Sequence, residues 1–155
     1  MQRTLVLAKP DAVQRALIGE IIGRFERKGL KVVGLRLLSV PRAMAEEHYA
    51  VHAGKHFYAG LVEFITSGPI VALALEGPDA IAVVRAMVGK TMANEADPGT
   101  IRGDLGISGL RNLIHASDAP ETAEAELTLW FGADALVDYG RDVDAWIVAE
   151  EPPRG

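Results

Sequence analysis

The sequence predicts an α/β sandwich, one sheet of about four strands covered by helices. Three observations predict it. Aliphatic and β-branched runs recur at residues 4–8, 30–40, 70–75 and 113–115, with segments of helical apolar spacing between them. Hydrophobic residues make up 49% of the 155, and the mean hydropathy is +0.15, which suits a chain with a substantial buried core. No internal repeat or interdomain linker interrupts the order, so residues 1–155 read as one domain with a C-terminal tail from about residue 136.

Residues 4–8 form the first predicted strand, and Lys9-Pro10-Asp11 ends it, because proline disfavours helical geometry at the residue before it. A lysine at the carboxyl end of a buried strand lies where such sheets place ligand groups, although a solvated strand-end lysine fits equally well. From Gly19 the spacing turns helical: Ile21, Ile22 and Phe25 share a face opposite Glu20, Arg24 and Lys28, and Gly29 stops the helix. In the strand over residues 30–40, Val33, Leu35 and Leu37 alternate against Gly34, Arg36 and Leu38. Pro41 opens a second helix as its first residue, running through Glu46, Glu47 and Tyr49.

His48, His52 and His56 follow at i, i+4 and i+8, but Gly54 interrupts the helix and no carboxylate completes a metal set, so a solvated face is expected for all three. Phe57, Leu61, Phe64 and Ile65 make a third helical stripe, stopped by Ser67-Gly68-Pro69. Phe57, at its start, suits either a core position or a ligand platform. The continuous apolar run at residues 70–75 reads as a strand buried on both faces. After Gly77-Pro78 a helix turns Ile81, Val84 and Val88 inward and Arg85 outward.

Gly89-Lys90-Thr91 is not a phosphate-binding P-loop: Val84 stands where the motif needs glycine, and a helix precedes it instead of a strand. Residues 89–111 instead form a long loop rich in Gly, Thr, Asn, Asp and Pro. Long loops that persist in compact domains are often binding loops, which draws attention to Thr91, Arg102 and Asn112. In the last helix, Asp118 and Glu121 have capping-box spacing, Pro120 lies in the first turn, and Ala123, Leu127 and Trp130 or Phe131 face inward. Glu124 and Glu126 suit a solvated face, or one of them orients an imidazole. In the tail, Trp146-Ile147-Val148 reads as an anchor on the domain or on a neighbouring subunit, and the residues after Glu150 as frayed.

The chemistry centres on Asn112-Leu113-Ile114-His115-Ala116-Ser117-Asp118. Here an apolar pair runs into a histidine beside the start of a helix, with Arg102 and Arg111 on the loop upstream. A core or capping histidine fits that pattern. So does a nucleophile that carries a phosphoryl group, since neutral imidazole can attack while cations and helix-terminal amides stabilise the transferring charge. The net charge of −5 and pI near 5.4 give no global basic surface for nucleic acid, so any phosphate-binding cations must be gathered locally. The absence of cysteine excludes disulfides, thiolate metal sites and thiol nucleophiles. The N-terminal apolar run is too short for a signal peptide or membrane span, which makes the cytoplasm the expected location.

Several blocks taken in order resemble the nucleoside diphosphate kinase family over nearly the whole length. They begin at Thr4, Gly19, Arg24, Glu47, Thr66, Pro98 and Asn112, and the last two, Pro98-Gly99-Thr100-Ile101-Arg102-Gly103-Asp104 and residues 112–118, are the most specific. The resemblance implies a ferredoxin-like four-stranded antiparallel sheet and ping-pong transfer of a γ-phosphoryl group between nucleotides. By the same resemblance His115 is the phosphorylated residue. Lys9, Tyr49, Arg85, Thr91, Arg102 and Asn112 are phosphate, ribose and sugar-side contacts, Phe57 stacks the base, and Ser117 and Glu126 steady the imidazole.

The resemblance further implies nucleoside tri- and diphosphates such as ATP, GTP, GDP, ADP and their deoxy forms as substrates. Mg²⁺ would be carried by their phosphates, not by a protein cage. It also implies a homo-oligomer, a hexamer in preference to a tetramer, and neither a membrane nor a specific nucleic acid as partner. The chain departs from the family pattern at Ala93, where a proline is frequent, and at Gly109-Leu110, where Gly109 is a poor second wall for the base. Two other functions fit the scaffold. A non-catalytic nucleotide-binding or interaction protein predicts loss of the nucleophile or the cations, yet all are present. A nucleic-acid-binding module predicts exposed sheet aromatics and a basic face, against 6% aromatics and a negative net charge.

Overall fold

The computed structural model describes residues 1–150; the expectation of fraying beyond Glu150 lies outside them. Four strands, β1 (Gln2–Ala8), β2 (Lys31–Leu38), β3 (Ile70–Gly77) and β4 (Ile114–Ala116), make one sheet in the order β2-β3-β1-β4. Every pairing is antiparallel, with Leu5 opposite Ala74 and Leu7 opposite His115. This is the ferredoxin-like sheet that the resemblance implies.

Strand alternation sorts the side chains into two cores. Val6, Ala8, Val71, Leu73 and Ile114 face one side, where α1 (Pro10–Gln14), α2 (Ile18–Lys28) and α5 (Ala80–Val88) cover them, along with Ile101 of α6 (Ile101–Leu105). Leu5, Leu7, Ile70 and Ala72 face the other side, under α3 (Arg42–His48), α4 (Tyr58–Ile65) and α7 (Pro120–Phe131). Because His115 pairs with Leu7, its side chain is delivered to this second face, toward α3 and α7.

Gly29 ends α2 in the left-handed region at φ 104, as its stop position requires. The helix α1 is an addition to the predicted elements. Pro10 does end β1, but it does so as the first residue of this short helix. Pro41 is the cap of α3, so the helix starts at Arg42, one residue later than expected. The loop over residues 89–111 carries α6, whose cap is the Thr100 hydroxyl accepting from the Gly103 amide at 3.0 Å.

Three expectations are corrected. In β2, an irregularity between Val32 and Gly34 shifts the alternation, so Val33 is buried while Leu35 and Leu37 stand 56% and 70% exposed. The residue capping α7 is Ala119, with no side-chain hydrogen bond, so Asp118 and Glu121 form no capping box. In the tail, which adds α8 (Asp144–Ile147), the expected anchor narrows to one residue: Trp146 is 90% exposed, while Ile147 lies over Gly29. Two hydrogen bonds also hold the tail: the Val137 amide donates to the Val33 carbonyl at 2.8 Å, and Arg141 donates to the Gly29 carbonyl at 3.1 Å.

Candidate active site

The imidazole of His115 is held by its Nε2, 2.7 Å from Glu126 Oε2. The other carboxylate oxygen, Oε1, accepts from Ser117 Oγ at 2.7 Å. Burial pushes the Glu126 pKa up, but the His115 hydrogen bond and charge, with the Ser117 bond, outweigh it and hold the carboxyl below its ordinary range. An ionised Glu126 only accepts, so the proton between it and His115 belongs to Nε2, and Nδ1 is left with its lone pair. Of the two glutamates weighed from sequence, Glu126 orients the ring; Glu124 is exposed. The contact with α7 therefore runs through this side chain, not through helix-terminal amides.

Three cations, Lys9 and Arg102 buried and Arg85 exposed, hold the chain on either side of that histidine. Lys9 Nζ donates to Asn112 Oδ1 at 2.8 Å, and the Asn112 amide donates to the Thr91 carbonyl at 3.0 Å. Arg102 donates to the carbonyls of Asn112 at 3.2 Å, Ile114 at 2.5 Å and Gly89 at 3.1 Å. Arg85 reaches the Ala116 carbonyl at 3.2 Å. Each cation retains further N–H donors beyond these bonds, two on Lys9 and two on Arg102 by the donor inventory of the side chains. Burial lowers the Lys9 pKa to about 8, with Arg102 adding to the effect and Asp11 opposing it. Burial, then Arg85, lowers that of Arg102 to about 10. Positive charge is thus concentrated at the strand end despite the acidic whole, as the composition required. Arg111 does not join it; its guanidinium stacks on the Phe64 ring at 4.3 Å.

The strand enters the site through a strained turn. Leu113 has φ 71, and the Ile114 amide donates to the Asn112 carbonyl at 2.8 Å, a γ-turn rarely adopted by bulky residues. Its own amide donates to Asp11 Oδ2 at 3.0 Å, and its side chain is fully buried. In the sequence Asp11 carries no signal beyond punctuation at the end of β1.

A larger omission is His48. Its side chain is only 1% exposed, not on a solvated face, and its ring meets that of His115 at 4.6 Å and 86°. Trp130 Nε1 donates to His48 Nδ1 at 3.1 Å. The signal available was its place three residues after the buried Ala45 on the inward face of α3; grouping it with His52 and His56 hid that.

Rings continue outward from His48 to Tyr49 at 4.7 Å, Tyr49 to His52 at 6.5 Å, and His52 to Phe57 at 5.2 Å. Phe57 lies at the outer end, 40% exposed at the start of α4, so it is not a core residue. Burial, with Glu126, raises the Tyr49 pKa to about 12, which keeps the phenol protonated.

His48, His115 and Glu126 offer three possible ligand atoms within 4.8 Å of one another. The atoms that face one another are already engaged: Trp130 donates to His48 Nδ1, and the His115 Nε2 proton points at Glu126, which leaves only His115 Nδ1 with a free lone pair. The close approach of His48 Nδ1 to Glu126 Oε2, 3.4 Å, would be an ion pair only with a protonated ring. Burial, then the His115 charge, lowers the His48 pKa to about 3, and the indole proton already fills Nδ1, so His48 is neutral.

Fold and site together define an α+β protein that gathers cations around a histidine oriented by a carboxylate. The family model for nucleoside diphosphate kinases matches residues 2–136. A nucleoside diphosphate kinase of Staphylococcus saprophyticus is 55% identical, covering 95% of this chain and 99% of its own. One of Archaeoglobus fulgidus is 53% identical over 97% and 99%. Among solved structures, a halophilic nucleoside diphosphate kinase from Halobacterium salinarum in complex with CDP superposes with a TM-score of 0.92 at 50% identity, covering 95% and 98%. The chain belongs to the nucleoside diphosphate kinase family, and its activity is phosphoryl transfer between nucleotides.

Proposed function

We propose that His115 Nδ1 is the atom that carries the phosphoryl group in a ping-pong reaction. The observation that supports this most directly is the hydrogen bond from Nε2 to Glu126 at 2.7 Å, which leaves Nδ1 as the basic nitrogen. In the first half-reaction an N–P bond forms at Nδ1 as the bond between the γ-phosphorus and the β–γ bridging oxygen breaks, and the diphosphate leaves. A second nucleoside diphosphate enters the same site, its terminal oxygen attacks the phosphohistidine, and the N–P bond breaks. The uncoordinated donors of Lys9, Arg102 and Arg85 stabilise charge on the transferring oxygens, and Ser117 and Glu126 keep the ring fixed. Tyr49, Thr91 and Asn112 line the phosphate and sugar side. Phe57 stacks the base without reading its edge, so bases are weakly discriminated.

Mg²⁺ fits this site only as part of the substrate, because the one carboxylate bonded to the histidine, Glu126, has both oxygens committed to His115 and Ser117. Bound to the nucleotide, it neutralises phosphate charge. The proposal takes residues 1–155 as one domain, supported by the shared sheet between two cores and by the tail's bonds to Val33 and Gly29. It includes a homo-oligomer, a hexamer before a tetramer, supported by the apolar edge at Leu35 and Leu37 and by exposed Ile107, Leu110 and Trp146. A cytoplasmic location is supported by the lack of cysteine and the demand for nucleoside triphosphates. Among the described residues no helix is long and apolar enough to cross a membrane. Incubation with γ-labelled ATP should give an acid-labile, alkali-stable phosphoprotein that passes its label to GDP. His115→Gln should lose both steps; retention of either contradicts the assignment.

A further inference from the structure

We infer that His48 and Trp130 form a lock that reserves Glu126 for His115, making both of them positioning residues of the transfer reaction. The inference rests on the proposed role of His115. Its basis is that two imidazole nitrogens approach one carboxylate oxygen. His115 Nε2 lies 2.7 Å from Glu126 Oε2 and His48 Nδ1 lies 3.4 Å from it. Whichever nitrogen carries a proton toward that oxygen captures it, because a charged acceptor strengthens the hydrogen bond.

The indole decides the contest. Trp130 Nε1 can only donate, and it donates into the His48 lone pair at 3.1 Å. His48 therefore keeps its proton on Nε2 and offers no hydrogen to Glu126, and the carboxylate stays with His115. Protonation of His48 at Nδ1 would displace the indole, turn a hydrogen toward Oε2 and place a cation 4.6 Å, ring to ring, from His115. Each of these changes weakens the nucleophile: the ring loses its orienting bond and gains a like charge when it would become cationic.

The surroundings of His48 on balance favour the neutral form. His115 on β4 and Lys9 at the end of β1 face it with charge that opposes protonation, as does His52 beyond α3, while Glu126 on α7 is the one group that favours it. Tyr49 and Trp130 close the ring in at 4.7 and 5.4 Å between centroids. Burial lowers the pKa to about 3, so the lock holds through the neutral range.

Trp130→Phe removes the indole proton while keeping an aromatic ring in the buried slot. Freed of its donor, the neutral His48 ring can carry its proton on Nδ1 and compete for Glu126 Oε2, so kcat should fall about tenfold at neutral pH with KM little changed. Adding His48→Phe should recover part of that loss, because no ring nitrogen remains to draw the carboxylate from His115, even though the double variant disturbs packing more. A Trp130→Phe kcat equal to that of the wild type, or a double variant that recovers nothing, overturns the lock while leaving phosphorylation of His115 intact. If the wild-type protein takes no label from ATP, both readings fall together. Should Trp130→Phe not fold, nitrogen-15 NMR of the wild-type protein decides. A neutral Nε2–H tautomer of His48 between about pH 5 and 8, with a slowly exchanging Trp130 indole proton, supports the lock; an Nδ1–H or doubly protonated ring in that range overturns it.

Discussion

Acid should destabilise this protein through one buried ring, and the effect can be sized. His48 titrates near 3 when folded and near the ordinary value of about 6.5 when unfolded. Its folded value is depressed, so the unfolded chain binds the proton first. The stability this group contributes is complete above about pH 6.5 and is lost as pH falls toward about 3. The loss is about 1.4 kcal/mol per pH unit, or roughly 2 kcal/mol by about pH 5. That is a substantial part of the 5–15 kcal/mol, or about that, which holds a typical domain together. Glu126, held below its ordinary range, adds its own loss only when the pH falls further, so the window between about pH 6.5 and 5 belongs to the histidine.

His48→Gln supplies the control. Its amide oxygen can accept from Trp130, yet it does not titrate. Urea unfolding of both proteins at about pH 7.5 and about pH 5 should show the wild type losing about 2 kcal/mol more than the variant on acidification. Equal losses would refute the burial of a neutral His48, and with it the physical basis of the proposed lock.

Two further outcomes follow from the site. Lys9, lowered to about 8 mainly by burial, should lose its charge as the pH rises through that value, so kcat/KM for a nucleoside triphosphate should fall on an alkaline limb near pH 8. Lys9→Arg, which stays charged, should flatten the limb whatever its effect on the plateau; an unchanged limb would assign it to another group. Gly103→Ala should cost roughly 2–4 kcal/mol and lower kcat/KM, since the added Cβ would lie 1.9 Å from the Asp97 carbonyl and displace the turn that carries Arg102. Thermal unfolding and steady-state kinetics would show it, and unchanged values in both would contradict the close approach.

What could be read from the sequence followed the strength of each local signal. The continuous apolar run of β3 had only one reading, and the structure buries it on both faces. The residue types around His115 fit a core or capping histidine as well as a nucleophile, and only the resemblance of the whole block to the family separates them; Glu126 could be weighed because it lies on the helix that follows. The regular alternation read for β2 is broken by a bulge, which is a property of the pairing and which a strand does not carry alone. Pro10 and Thr100 each open a short helix that propensity over so few residues does not reveal. His48 was misjudged for a related reason: it is held by Trp130, 82 residues away in the chain, and only the packing of α3 against α7 brings them together.

Phosphorus-31 NMR of the phosphoprotein formed from ATP tests the central claim most directly. The account predicts a single phosphohistidine at His115 with phosphorus on Nδ1, because Nε2 is committed to Glu126. Phosphorus on Nε2, or on any other residue, would contradict it.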